Sequence, residues 1–226
     1  MPNAFRPTTL DQLRDALAAA VADGEAVELL GLGSKRGLGR PVQAARVLDL
    51  AALAGVRAYE PAELVLTAAA GTPLAEIEAL LKASLQMLAF EPPDLGALYG
   101  TWSAGTLGGA IAANLAGPRR VKIGAARDHF LGTVAVSGRG EVFKAGGKVV
   151  KNVTGYDLCK LLAGSFGTLA AMEEVTVKVI PAPAKSRTVL LFGLAPHEAV
   201  AALAQALNSP HEVSGAAYLP AAVAAR

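Results

Sequence analysis

Cysteine is almost missing from this chain: Cys159 stands alone in 226 residues, which excludes an internal disulfide framework. Histidine is nearly as scarce, and three scattered copies beside one thiol make a poor zinc site. Aromatics make up 5% of the residues, so the interior must be packed from small side chains rather than from rings. Charged residues are only 18% and the formal net charge is +2, leaving no general attraction for nucleic acid. No apolar run approaches the ~18–20 residues that span a bilayer. The opening stretch MPNAFRPTTLDQLRDAL lacks a charged region followed by an apolar one, so a cytoplasmic protein is expected. What the chain does have is 53% apolar residues and 24 glycines. A globular chain of this length buries roughly 70–75% of its surface.

The apolar pattern is irregular and points to an α+β fold rather than a βαβ alternation. Thr9 and Gln12 form a capping-box pair, and Leu10, Leu13, Leu17 and Val21 recur on one helical face up to Gly24. Short strands are expected at 26–30, 46–50 and 63–70. Thr72 reads as the N-cap of a second helix with Pro73 at its first position and Leu74, Ile77 and Leu81 on one face. Segments 134–137 and 141–145 read as a hairpin around Gly138-Arg139-Gly140, and 157–163 as a short helix. The alternation of Val175, Val177 and Val179 with Thr176 and Lys178 marks a strand over 172–180. Pro181 and Pro183 close it, and a further strand (188–192) and helix (196–207) follow.

Two glycine-rich loops could hold a ligand. In Gly31-Leu32-Gly33-Ser34-Lys35 the missing Cβ atoms let backbone N–H groups approach an anion, while Ser34 and Lys35 add a hydroxyl and a cation. A tight surface turn explains the same residues. The G-x-G-x-x-x-G spacing and the Arg40-Pro41 break argue against a Rossmann turn, and no Gly-Lys-Ser/Thr triplet closes a Walker loop. Thr106-Leu107-Gly108-Gly109 opens a helix of small residues whose N-terminus could cap a ligand, although close helix–sheet packing accounts for it better when taken alone.

A third stretch, G-Y-D-L-C-K-L-L-A-G-S-F-G-T-L from Gly155, is more specific and is followed by the strand ending at Pro181. With the two earlier loops in the same order, the chain resembles the FAD-binding domain of the vanillyl-alcohol-oxidase/p-cresol-methylhydroxylase class over residues 9–183. Within that class it resembles the FAD-binding subunits of bacterial glycolate oxidases. The resemblance implies two α+β subdomains, residues 1–56 and 57–183, with FAD between them, and a partial cap-like segment over 184–226. Gly31, Leu32, Gly33, Ser34 and Lys35 would bind the pyrophosphate. Pro93 and Asp94, with Thr106, Leu107, Gly108 and Gly109, would line the flavin ring. Asn114 through Gly117 would continue the contact, and the stretch holding Gly164, Gly167, Thr168, Leu169 and Ala171 would close the adenosine half.

Departures from the family pattern refine this expectation. Ser34 stands where some relatives tether FAD through histidine, so a noncovalent flavin is expected, and Cys159 reads as a small buried apolar residue. Ala170 replaces a family glycine and requires that the backbone there avoid positive φ. The cap that supplies a substrate-binding arginine in catalytic relatives is short here, and His197 and His211 in it read as surface residues. His129, beside Asp128, could titrate near neutral pH, but it reads as the entry to a strand. No residue qualifies as a catalytic base. The resemblance therefore implies an FAD subunit of a glycolate oxidase complex, inactive alone, whose partners are a catalytic FAD subunit and an iron–sulfur subunit. Any membrane association would come through those partners. A structural subunit that has lost flavin, and a stand-alone FAD alcohol oxidoreductase, are the alternatives.

One charge asymmetry remains. Residues 119–151 carry Arg119, Arg120, Lys122, Arg127, Arg139, Lys144, Lys148 and Lys151 against Asp128 and Glu141, whereas 83–118 holds no lysine or arginine. A solvated face explains this, and docking of an acidic partner subunit is the second explanation. In the docking case, neutralising Lys144, Lys148 and Lys151 slows assembly at low salt; salt-independent assembly would eliminate it.

Overall fold

The computed structural model describes residues 4–147 and 155–224, and Lys148 and Lys151 lie outside that range. The fold is α+β. The chain opens with β1 (Ala4–Phe5), α1 (Leu10–Asp23), β2 (Val27–Leu30) and β3 (Arg46–Asp49), whose strands form a parallel sheet in the order β1-β3-β2. Then come β4 (Val56–Glu60), β5 (Val65–Ala69), α2 (Leu74–Ala83), β6 (Gln86–Met87), α3 (Gly96–Tyr99), α4 (Leu107–Ala113), α5 (Arg120–Ile123) and α6 (Ala126–His129). The hairpin β7 (Phe130–Ser137) and β8 (Val142–Gly146) is followed by α7 (Leu158–Leu162), β9 (Ala170–Lys178), β10 (Ile180–Pro181), α8 (Pro196–Leu207) and α9 (Ala221–Ala224). The larger sheet is antiparallel in the order β4-β5-β9-β7-β8, and β6 pairs with β10 in a separate ribbon.

Local chemistry sets the ends of α1. Thr9 Oγ1 accepts from Gln12 N at 3.2 Å, while Gln12 Oε1 accepts from Thr8 N at 2.8 Å, so the expected box is displaced by one residue. Gly24, at φ +66°, ends the helix. The buried face is Leu13, Leu17 and Ala20; Val21 lies on the exposed side. That face packs on Leu48, Leu50 and Leu53 and also on Val136 and Ala171 of the larger sheet. One small core thus joins both sheets.

The main core lies between the other face of the larger sheet and the helices, with Leu66, Val175 and Val177 against Ile77, Leu81, Leu107 and Ile111. β9 is buried nearly throughout, because the sheet is covered on both sides. Between its valines, Thr176 is buried too, and its hydroxyl meets that of Thr67 across the strands at 2.9 Å. Thr72 does not cap α2. Wholly buried, it donates to Ala69 O at 2.7 Å and accepts from Gly55 N at 2.9 Å, and α2 begins at Leu74 behind Pro73. Gly71 fills the joint between the sheets: a Cβ there would lie 2.1 Å from Leu50 O.

The expected strand over 188–192 does not form. Val189, Leu190, Leu191 and Phe192 are 84, 67, 65 and 85% exposed, since no described strand lies alongside to accept their backbone bonds. β-propensity without a pairing edge does not make a strand. α8 forms as expected, with Pro196 in its first turn and Glu198 Oε2 accepting from Ala195 N at 2.8 Å, but it buries only Ala199.

Candidate functional site

The strand β2 delivers the chain into the first glycine loop, and the loop is anchored from behind. Arg36 Nε and Nη2 each donate to the Glu28 carboxylate at 2.8 Å, a two-pronged ion pair between the loop and its strand. Turns close through Arg36 N to Gly33 O and Leu38 N to Lys35 O. The amides of Leu32, Gly33, Ser34 and Lys35, by contrast, have no acceptor among the described residues. Successive loop amides without protein acceptors, next to Gly33 at φ +73°, are donors that an anion could use. Beside them the half-buried ammonium of Lys35 has no carboxylate within ion-pair distance among the described residues. Its contacts are Ser34 Oγ at 3.3 Å and Ala104 O at 3.5 Å. Burial lowers its pKa, and the charge of Asp94 opposes that shift.

The second loop packs directly on the first. A methyl on Gly105 would stand 2.4 Å from Ser34 Oγ and 2.9 Å from Lys35 Nζ, and one on Gly31 would stand 2.9 Å from Thr106 Oγ1. Thr106 caps α4 by accepting from Gly109 N at 3.1 Å. The donors of this helix start are taken up within the protein, in line with the helix–sheet packing favoured for this loop on its own: Leu107 N donates to Thr72 O and Gly108 N to Ala70 O. Gly108 also lacks room for a methyl, which would lie 2.7 Å from Ala70 Cβ. Close packing of α4 on β5 is thus what Leu107 and Gly108 provide.

The third motif closes against both. Gly164 N donates to Ile111 O and Phe166 N to Ala112 O, so the turn after α7 is bonded to the end of α4. Asn114, at φ +48°, spends its side-chain carbonyl on Arg127 N at 2.9 Å. A methyl on Gly167 would lie 3.1 Å from Leu29 Cδ1, on the strand that feeds the first loop. Gly167, Thr168, Leu169 and Ala171 line a cavity of about 200 Å³ with Leu17, Ala20, Val27 and Leu29. Residues 31–35 do not line that cavity; Leu29 and Gly167 connect the two regions. Ala170 begins β9 and is not among the positive-φ residues, so its methyl is accommodated.

Pro93 and Asp94 lie in the turn before α3, where Asp94 Oδ1 accepts from Gly96 N at 2.7 Å. Gly117 is bonded to the residues that lead into that turn: its N–H lies 3.1 Å from Glu91 O and 3.2 Å from Phe90 O. The sequence reading had not singled out Glu28, Arg36, Gly105 or Glu91. The signal available for the last was its place directly before Pro92-Pro93.

The remaining candidates resolve simply. Cys159 is buried, its pKa pushed up to about 11 by desolvation, and behaves as a small apolar residue. His129 is buried at the end of α6, with Nε2 3.1 Å from Ile123 O and its ring 6.1 Å from Phe90. Burial lowers its pKa against the opposing effects of that hydrogen bond and of Asp128, which moves it away from titration near neutrality. His197 and His211 are exposed. Among the described residues, no group of three or more His, Cys, Asp or Glu could hold a metal. Arg119 does not belong to a solvated face, since its side chain is largely buried beside Met87 and Glu91.

A family model described as an FAD binding domain matches residues 2–146. Over 206 residues the chain is 41% identical to glycolate oxidase subunit GlcE of Escherichia coli K12, covering 91% of this chain and 57% of that protein. It is 36% identical over 132 residues to glycolate oxidase subunit GlcD of Bacillus subtilis, covering 58% of this chain and 26% of that one. With a D-2-hydroxyglutarate dehydrogenase of Xanthomonas citri it shares 34% identity over 173 residues, 75% of this chain and 35% of the relative. The chain thus spans little more than half the length of the Escherichia coli protein. No helix among the described residues is long and apolar enough to cross a membrane.

Proposed function

Because the chain belongs to the FAD binding domain family, within the FAD-dependent oxidoreductases, we propose that it is the flavin-carrying, E-type subunit of a glycolate-oxidising complex. The observation that carries this is the run of amides from Leu32 to Lys35 that find no acceptor among the described residues, beside a half-buried ammonium with no carboxylate within ion-pair distance among them. Successive loop amides left without protein acceptors, with a cation beside them, suit an anionic ligand. A pyrophosphate matches that demand in charge and in acceptor number.

In this reading Gly31, Leu32, Gly33, Ser34 and Lys35 hold the pyrophosphate, and Gly164, Gly167, Thr168, Leu169 and Ala171 flank the adenosine half. Pro93, Asp94 and Thr106–Gly109 line the ring, with Asn114 and Gly117 beyond them. Since the α4 amides are bonded within the protein, Leu107 and Gly108 contribute shape rather than hydrogen bonds. FAD supplies two-electron acceptance when bound; the protein positions it and tunes its surroundings. The first loop contains neither histidine nor cysteine, which supports noncovalent attachment. The complex would convert glycolate to glyoxylate and pass the electrons to an iron–sulfur subunit, with a second FAD subunit as partner. The proposed subdomain division at 56/57 falls at the start of β4, just after the connection that leads from the small sheet to the large one.

The histidines support inactivity of the chain alone. His129 is buried with lowered basicity, and His197 and His211 are exposed at a distance in sequence from all three loops. The test is to titrate the purified chain with FAD, following the visible flavin band and the melting temperature, and then to assay glycolate oxidation with an artificial acceptor, with and without partner subunits. Binding of FAD with a rise in melting temperature, but turnover only with the partners, is the expected result. Absence of flavin binding would turn the reading to the structural subunit. Turnover by the isolated chain would turn it to the stand-alone oxidoreductase.

A further inference from the structure

Glu91 holds an uncomfortable backbone conformation. At φ +45° it is left-handed without being glycine, and it stands directly before Pro92, where the ring of the following residue adds its own restriction. Such a conformation persists only where neighbouring structure imposes it, and it collects at functional sites. Here the neighbours belong to the segment after α4. Gly117 N donates to Glu91 O at 3.1 Å, and Arg119 N donates to Glu91 Oε2 at 3.3 Å. A side chain at position 117 would collide with the Glu91 carboxylate, its Cβ lying 3.0 Å from Oε2.

The Arg119 side chain completes the contact in an unusual way. Its exposure is 17%, yet Nε is buried without a hydrogen-bond acceptor, Nη1 reaches only the Met87 sulfur at 3.4 Å, and the Glu91 carboxylate stands 3.8 Å from Nε. A guanidinium desolvated this far and bonded this poorly is a costly way to stabilise a fold, because a well-packed apolar side chain would do as much. What the pair does accomplish is geometric. It ties Glu91, which leads into the Pro93–Asp94 turn, to the segment that follows Asn114, and both segments are assigned to the cofactor in the proposed reading.

We infer that Glu91 and Arg119 are positioning residues that hold these two turns in the one spacing that accepts the flavin ring. This rests on the proposed FAD role and adds to it a control over ring environment by a pair that does not touch the cofactor's phosphates. The strain at Glu91 is then stored for binding rather than for folding.

The test uses the chain with FAD and four variants: Glu91→Gln, Glu91→Gly, Arg119→Lys and Arg119→Met. Dissociation constant, visible circular dichroism of the bound flavin and melting temperature of the FAD-free protein are measured for each. Glu91→Gly relieves the left-handed strain, so its FAD-free melting temperature should match or exceed that of the parent while FAD binds about tenfold more weakly. Glu91→Gln and Arg119→Met should alter the flavin dichroism and weaken binding, with Arg119→Lys restoring part of both. A purely structural pair would instead lower the melting temperature in all four and leave the dichroism of bound flavin unchanged, which overturns the inference. So would parental affinity and dichroism in Glu91→Gln and Arg119→Met. If the parent chain itself binds no FAD, the functional reading falls and this inference falls with it.

Discussion

Gly105→Ala is the sharpest probe of whether the first and second loops form one site. The new methyl would stand 2.4 Å from Ser34 Oγ and 2.9 Å from Lys35 Nζ, at a position whose φ is +101°. Ordinary contact requires the hydroxyl to retreat by about 1 Å. Ser34 is buried, so it cannot swing into solvent, and the loop backbone from Leu32 to Lys35 must move instead. The left-handed φ adds about 1–3 kcal/mol of strain for alanine. If the loop relaxes away in the free protein, that cost returns when the ligand demands the original geometry, and FAD affinity falls by about 5- to 150-fold. Gly108→Ala is the comparison. Its methyl would press on Ala70 between α4 and β5, at a helix start whose amides are bonded within the protein, so an overpacking cost of about 1–3 kcal/mol should appear in stability. Calorimetric titration with FAD and thermal melting of the FAD-free variants separate the two. A Gly105→Ala protein that melts early but binds FAD with parental affinity would refute the reasoning.

Three further outcomes are expected. The Lys35 pKa lies below the usual lysine value because of burial, and an anion bound beside it favours the protonated form; FAD affinity should therefore hold at lower pH and decline as pH rises through that lowered pKa, and Lys35→Met should flatten the titration. Thr67→Val or Thr176→Val alone should cost about 1–3 kcal/mol by leaving one hydroxyl buried and unpaired, whereas the double variant should recover most of that loss, as denaturant melts of all three would record. Cys159, with its pKa near 11 and its sulfur buried, should resist thiol reagents at neutral pH until denaturant is added; rapid labelling of the native protein would contradict its placement against Ala145 O.

The cofactor was legible in the chain through the resemblance that the three glycine motifs carry in their order, not through any one loop alone. In the folded chain the glycines at 31, 33, 108, 164 and 167 stand where a Cβ would press on the protein's own atoms or where φ turns positive. The family likeness followed from the same motifs, the α+β class from the irregular order of elements, and α8 spans the expected 196–207. Other features were decided by tertiary contact. Whether an apolar run becomes a strand depends on an edge to pair with, so β4 formed although it carried little signal and 188–192 did not although its signal was strong. Thr72 looked like a cap and became a buried strut because Gly55 and Ala69 offered its hydroxyl nearer partners. The destination of each amide was equally invisible: those of Leu32 to Lys35 find no acceptor among the described residues and those of Leu107 and Gly108 are taken by Thr72 and Ala70, since hydrogen-bond partners distant in sequence are assigned only when the chain closes on itself.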